Sequence, residues 1–330
     1  MPRSRFLIGS LPWYSVLILT GAALAIWLTE RLAKRESLPP DTIVDLALRV
    51  LPAGILGARI YYVLFSWDSY RKDPLSVLRI WEGGLAIYGG ILAGLIVILI
   101  FCRRRQLSVL TLCDLIVPGL ALAQAIGRWG NYFNMEAYGW TLPEHSALCF
   151  FPAAVLIPEG ETAHWHLATF FYESICDFGL FLALLALRRR FRPVKGQLFR
   201  FYVFCYAAVR LVIEVLRMDS LYSGTVRVSQ LLSLLAMALL LVQLSVQVWR
   251  AARREGIRVL PLSVLLPLAG SLLLFWPAAG VVFGFGPLSG PRPIAKLGIL
   301  FCFSAISVIT YLAGTAFGLK HGRTTCQPQP

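Results

Sequence analysis

The sequence predicts an all-α fold: a polytopic bundle of membrane-spanning helices with a small head region outside the bilayer. Three observations predict it. The 330 residues are 58% hydrophobic, with a mean hydropathy of +0.70, too apolar for a soluble domain of this length. The apolar residues gather in runs of about 20, the length that crosses a hydrocarbon core as a helix. The basic residues lie in short connections beside those runs. The net charge of +14 therefore points to the anionic membrane face rather than to nucleic acid.

The predicted spans are 11–29, 42–66, 84–102, 108–127, 168–187, 198–216, 226–249, 258–280 and 294–318. The first reads as an uncleaved span, because its apolar run is long and leads into TERLAKRE. Asp45, Arg49 and Arg59 interrupt the second. Their spacing places them on one helix face, which must look into protein or water. The last two spans carry no charged residue except Arg258 and Lys296 near their ends, so they read as added spans for packing, partner contact or anchoring. The chain thus divides into a core, 1–257, of about seven spans, and an extension, 258–330, with two more and a polar tail. The tail TTCQPQP is expected to be disordered.

Lys and Arg orient the bundle. Connections after the odd-numbered spans hold 17 of the 31 basic residues, whereas 128–167 holds only Arg128. The N-terminus is therefore expected outside, with 128–167 as an external head. This orientation brings Tyr14, Arg59, Tyr88, Arg128, Tyr172, Glu173, Arg210, Glu214 and Arg217 to one depth near the outer surface. Arg210, Glu214 and Arg217, spaced four and three, form one stripe. With Arg128 added, the cluster is expected to carry surplus positive charge, which suits the phosphate of an anionic lipid headgroup. The plainer explanations are a structural ion pair between Arg210 and Glu214, and an Arg217 that snorkels to the interface.

The segment GRWGNYFNMEAYG, 127–139, concentrates the polar chemistry. Gly127 and Gly130 are expected to let backbone approach a ligand. The Asn131 and Asn134 amides can orient phosphate or glycerol hydroxyls. Glu136 can fix an arginine or take a proton, and Gly139 lets the chain turn back. Three of the four aromatics Trp129, Tyr132, Phe133 and Tyr138 are expected to be interfacial belt residues. The paired glycines of WEGGLAIYGG flank Tyr88 and suit close helix packing. None of the seven cysteines has metal-ligand or CxxC spacing. No metal or organic cofactor is suggested.

GRWGNYFNMEAYG resembles the signature block of the prolipoprotein diacylglyceryl transferase family. Further matches follow the family's order: WY at 13–14, GGLAIYGG at 83–90, HLATFFYES at 166–174, and VRLVIEVLRMDS at 209–220 with VSQLLSL after it. The resemblance spans roughly 10–250. It implies an enzyme of the bacterial cytoplasmic membrane that moves the diacylglyceryl group of phosphatidylglycerol onto the lipobox cysteine of a prolipoprotein signal peptide. A thioether forms and glycerol phosphate leaves. By motif and position, Arg128 and Arg210 would neutralise the leaving phosphate, with Tyr88, Glu136 and Glu214 as further catalytic candidates. Asn131, Asn134, Gly139, Tyr14, Arg217, Tyr172 and Glu173 would bind or shape the lipid site.

Two departures stand out. Many members of the family carry histidine at the position of Tyr88, and tyrosine is the poorer base at neutral pH. Many carry proline after the position of His166, where this chain has Leu167. Two other readings remain open at this point: a phospholipid transporter or flippase, and a lipid-binding paralogue without catalysis. Against the transporter stand the absence of an internal repeat and the one-sided placement of the polar groups.

Overall fold

The structure is a computed structural model. It describes residues 4–321 apart from 10, 37, 72, 161, 192–193, 225, 255, 257–260 and 285–292. The tail TTCQPQP lies outside the described residues. The elements in order are strands β1 (Phe6–Ile8) and β2 (Leu11–Pro12), then helices α1 (Trp13–Arg35), α2 (Thr42–Phe65), α3 (Trp67–Tyr70), α4 (Ile87–Arg105) and α5 (Val109–Asn134). Strands β3 (Ala154–Glu159) and β4 (Thr162–Leu167) follow, then α6 (Thr169–Phe191) and α7 (Gln197–Leu216). Strands β5 (Tyr222–Ser223) and β6 (Val226–Arg227) precede α8 (Val228–Arg254), α9 (Leu262–Phe283) and α10 (Pro293–His321).

Each predicted span corresponds to one long helix. Among the described residues, seven helices are long and apolar enough to cross a membrane. The chain is a multi-pass membrane protein. The other two long helices, α2 and α7, match the spanning helices in length but each carries three charged residues. At 1.5 Å per residue, α2 is about 36 Å long, ample for the hydrocarbon core.

The chain forms two compact units, residues 22–120 and residues 1–21 with 121–330. In the first, α2 and α4 pack with almost no side chain between them. A Cβ on Gly57 or Gly89 would strike the other's backbone, and one on Gly90 would lie 3.2 Å from the Gly54 carbonyl. Close approach of this kind is how helices associate where no water drives them together. Arg59, only 5% exposed, turns its guanidinium onto backbone carbonyls. It donates to Val77 (2.8 Å), Gly83 (2.7 Å) and Ser76 (2.7 Å). The Gly84 carbonyl at 3.2 Å and that of Arg79 at 3.3 Å complete its partners. A buried charge is tolerable only when so satisfied. It fixes the 3₁₀ turns Pro74–Leu78 and Ile80–Glu82 that lead into α4. Asp45 and Arg49 pair at 3.3 Å, with both side chains partly exposed.

In the second unit, α5 continues seven residues beyond the predicted end at 127, so Arg128, Asn131 and Asn134 are helical. The chain then turns at Met135 and Ala137, both with positive φ (53° and 55°). Gly139 is not the turn residue. It is needed because a Cβ there would lie 2.8 Å from the Leu216 carbonyl and 2.9 Å from Thr169 Cγ2. Gly127 and Gly130 serve packing too, a correction to their expected approach to a ligand. Gly130 faces the Tyr14 ring of α1, 2.6 Å from the position of a Cβ, and Gly127 faces Ile18.

The head is an antiparallel hairpin, β3 with β4. A third stretch pairs with it through Gly139 N–H to Leu167 (2.8 Å) and Leu142 N–H to Trp165 (2.7 Å). Val155, Ile157, Ala168 and Phe170 form its core, with Trp129, Tyr132, Tyr138 and Phe171 packed against it. Trp129 meets Phe151, Phe170 and Phe171 edge-on, and Phe133 stacks on Trp13 at 5.0 Å. These aromatics are packing residues, not the expected interfacial belt, because the head supplies enough partners to bury their faces. His166 is fully buried, with Nδ1 3.0 Å from the Gly139 carbonyl. Tyr172 donates to the Ala153 carbonyl at 2.5 Å. Both tie the head down.

The extension packs on α7. Tyr311 of α10 stacks on Phe204 at 4.7 Å, and Ser304 donates to the Ala208 carbonyl at 3.3 Å. Ser271 of α9 and Thr310 of α10 share a hydrogen bond of 2.8 Å.

Gly89→Leu is expected to force α2 and α4 apart and to destabilise the protein by roughly 1–3 kcal/mol. Thermal unfolding in detergent should show a lowered midpoint. An unchanged midpoint would mean that the glycine contact does not hold the pair together.

Candidate functional site

Three helices of the second unit deliver charge to one place. Arg128 comes from the last two turns of α5, Glu173 and Asp177 from the start of α6, and Arg210 and Glu214 from the last two turns of α7. Arg217 follows at the end of α7. Four-residue spacing puts Glu173 over Asp177 and Arg210 over Glu214, each pair on one helix face.

Glu173 joins the arginines. Its Oε2 lies 2.5 Å from Arg128 Nη1, and its Oε1 accepts from Arg210 Nη1. Arg210 Nη2 donates to Glu214 Oε2 at 2.7 Å. Arg128 Nη2 donates to the Tyr206 hydroxyl at 3.3 Å, and its Nε lies 3.8 Å from Asp177 Oδ2. Arg217 holds both oxygens of Asp219 at 3.0 Å and reaches to 3.9 Å from Glu173 Oε1. Glu173 and Asp177 are each 2% exposed, whereas the Arg128 and Arg210 side chains keep 18% and 15%. The carboxylates are therefore sealed behind the guanidiniums, and the guanidiniums carry what access remains.

The arrangement corrects two expectations. The cluster has no surplus of positive charge, since the carboxyl groups of Glu173, Asp177, Glu214 and Asp219 stand against Arg128, Arg210 and Arg217. Nor does Arg217 snorkel: it is 14% exposed and engaged by Asp219. Of the other expected site residues, Asn131 and Asn134 lie on the last turn of α5. Asn134 accepts from Arg5 Nε and donates to Glu136 Oε1, both at 3.2 Å. Glu136 is exposed, and Tyr14 sits at the start of α1 with its ring on Gly130. Tyr88, half-buried, is the second residue of α4 and belongs to the other compact unit.

Sequence reasoning passed over Asp177, Tyr206, Asp219 and Arg227. Asp177 left a signal: a second carboxylate four residues after Glu173, inside a helix that must cross lipid, is costly without a partner. Asp219 links the site to the head by accepting from the Ala137 N–H at 3.2 Å. Arg227 donates to the Glu214 carbonyl and to the Tyr222 hydroxyl. Crosslinks outside the charge cluster hold the three helices in register. Trp129 donates to Ser174 at 3.1 Å, Ser174 to the Ala125 carbonyl at 2.8 Å, and Tyr202 to Gln124 at 2.7 Å.

These features define a class: a polytopic membrane protein with a buried arginine–carboxylate cluster beneath a small β cap. Comparison with known proteins narrows it. The family profile described as prolipoprotein diacylglyceryl transferase matches residues 5–246. The chain is 41% identical over 244 residues to the phosphatidylglycerol–prolipoprotein diacylglyceryl transferase of Lactococcus lactis subsp. lactis, covering 74% of this chain and 91% of that protein. It is 45% identical to that of Limosilactobacillus reuteri, over 67% of this chain and 82% of the relative. With that of Streptococcus mutans it shares 42% identity over 68% and 85%. The chain belongs to the prolipoprotein diacylglyceryl transferase family and is a transferase. Helices α9 and α10 lie beyond the matched residues.

Glu173→Ala leaves two largely buried arginines without their shared counter-ion. It is expected to cost about 3–5 kcal/mol, the usual penalty for breaking a buried pair from one side. Glu173→Gln, which keeps hydrogen-bonding oxygen in place, should cost less. Unfolding midpoints of the two variants check this, and equal midpoints would separate Glu173 from the stability of the cluster.

Proposed function

We propose that the chain transfers the diacylglyceryl group of phosphatidylglycerol to the lipobox cysteine thiol of a prolipoprotein signal peptide. The observation that carries this reading is the convergence of Arg128 and Arg210, from two helices, on the two oxygens of one carboxylate. A phosphodiester also presents two anionic oxygens, so it can meet the same pair of guanidinium forks. Each guanidinium has five N–H donors, and Glu173 engages one nitrogen of each.

In the proposed step the thiolate sulfur attacks the glycerol carbon that bears the phosphate. A carbon–sulfur bond forms, the carbon–oxygen bond breaks, and its electron pair leaves on glycerol phosphate. Arg128 and Arg210 stabilise that developing charge. The thiol, with a pKa near 8.5 when free, gives its proton to a base, for which Tyr88, Glu136 and Glu214 are the candidates. Asn131, Asn134, Gly139, Tyr14, Arg217, Tyr172 and Glu173 bind the lipid or hold the site in shape. Residues 1–257 act as the catalytic core and 258–330 as an accessory extension. The positive-inside pattern supports an N-terminus and head on the outer face of a bacterial cytoplasmic membrane, with the site open to the outer leaflet.

The test is an assay with phosphatidylglycerol and a lipobox peptide, with the protein reconstituted in vesicles. Thioether product supports the transferase. Lipid binding without product would support a non-catalytic paralogue, and lipid movement between leaflets without product a transporter. Arg128→Ala is expected to lower turnover at least about 100-fold while the protein still inserts. Wild-type rates in that variant would refute its role. Tyr88→Phe is expected to lower kcat, and an unchanged rate would leave Tyr88 a packing residue.

A further inference from the structure

The compact unit of residues 22–120 contains a second cationic feature that the transfer reaction does not use. Between the start of α2 and the end of α4 lies a cavity of about 310 Å³, lined by Arg49, Val97, Ile100, Phe101, Arg104 and Arg105. Its lining on α4 starts at Val97, about two and a half turns past Tyr88, and its Arg104 lies about 24 Å from Tyr88 along the helix at 1.5 Å per residue.

Flanking arginines of a spanning helix ordinarily splay into the headgroup layer. Here two are gathered. Arg105 Nη2 and Arg49 Nη1 lie 2.5 Å and 3.3 Å from the same oxygen, Asp45 Oδ2. The guanidinium carbons of Arg49 and Arg105 stand 5.6 Å and 5.7 Å from the centre of one ring, the buried Phe101. Arg104, exposed beside them, has no hydrogen bond or ion pair among the described residues. One carboxylate therefore engages two of the three arginines that line the cavity. As a stabilising device this would achieve little, because half-exposed pairs contribute about 0–1 kcal/mol. As a receptor it is well composed: a cationic rim with surplus charge, over a wall of Val97, Ile100 and Phe101. The size falls within the range of small-molecule pockets.

We propose that this groove binds the phosphate of an anionic phospholipid, with Arg49, Arg104 and Arg105 around the headgroup and Val97 and Ile100 against an acyl chain. The arginine-rich ends of α2 and α4 lie on the side that positive-inside statistics assign to the cytoplasm. The lipid is thus one of the inner leaflet, separate from the lipid consumed as substrate. Juxtamembrane arginines attract such lipids by about 1 kcal/mol each, roughly fivefold in affinity.

The full-length protein in detergent would be titrated with phosphatidylglycerol and, as control, phosphatidylcholine, and the lipids retained per chain counted by native mass spectrometry. Wild type should retain an anionic lipid that survives in the Arg128→Ala background. In that background Arg104→Gln should weaken its retention about fivefold. Asp45→Asn, which removes the one opposing charge, should strengthen it. No change in either variant, a shift of both in the same direction, or equal retention of phosphatidylcholine would overturn the proposal. Displacement of the lipid by millimolar inorganic phosphate would also overturn it, by assigning the groove to a soluble anion.

Discussion

The whole of the larger unit is organised around one carboxylate. Glu173 is sealed from solvent, and its two oxygens are taken by arginines of two other helices. In a low-dielectric interior neither the acid nor the guanidiniums could be placed alone. The three helices must therefore arrive together, and in one register. The neighbouring contacts serve that requirement. Trp129, Ser174, Tyr202 and Gln124 crosslink α5, α6 and α7 with neutral hydrogen bonds. Glycines at 127 and 130 let α1 close on α5. The head is fastened to the same assembly through Asp219, Thr169 and the bridge between Gly139 and Arg217.

This arrangement separates two jobs that a buried arginine must reconcile. In the proposed reaction it must be charged enough to stabilise a leaving phosphate, and compensated enough to exist before the lipid arrives. The carboxyl groups of Glu173, Asp177, Glu214 and Asp219 around Arg128, Arg210 and Arg217 meet the second demand. The first is met by geometry: acids lie behind and cations in front. On the proposed function, an incoming phosphate replaces part of an existing set of interactions rather than filling an uncompensated field. The proposed reaction then draws on electrostatic preorganisation, which needs no large rearrangement at the moment of transfer.

What could be read in the sequence follows from how local each signal is. The long helices were legible because twenty apolar residues in a row admit few alternatives in a bilayer. Arg128, Arg210, Glu214 and Glu173 stood out because charge within such runs is costly. What escaped was set by contacts distant along the chain. The continuation of α5 to Asn134 depends on the head that covers its last turns. The aromatics of 129–138 resembled belt residues until Phe151, Phe170 and Phe171 supplied partners. Gly139 looked like a turn, yet its constraint is a crowded approach to Leu216. The charge balance could not be foreseen without Asp177, which lies one turn below a residue already singled out.

Arg59 anchors its segment through main-chain oxygens alone, and every residue type offers the same oxygen. Apart from Gly83 and Gly84, which are held at positive φ, the stretch from Ser76 to Glu82 can therefore change its side chains over evolutionary time without loosening the clamp, provided its path is kept. The arginine has no such latitude, since a lysine could not reach carbonyls spread over so wide an arc. Mutational drift in this region should be lopsided, with a variable collar around a fixed pin.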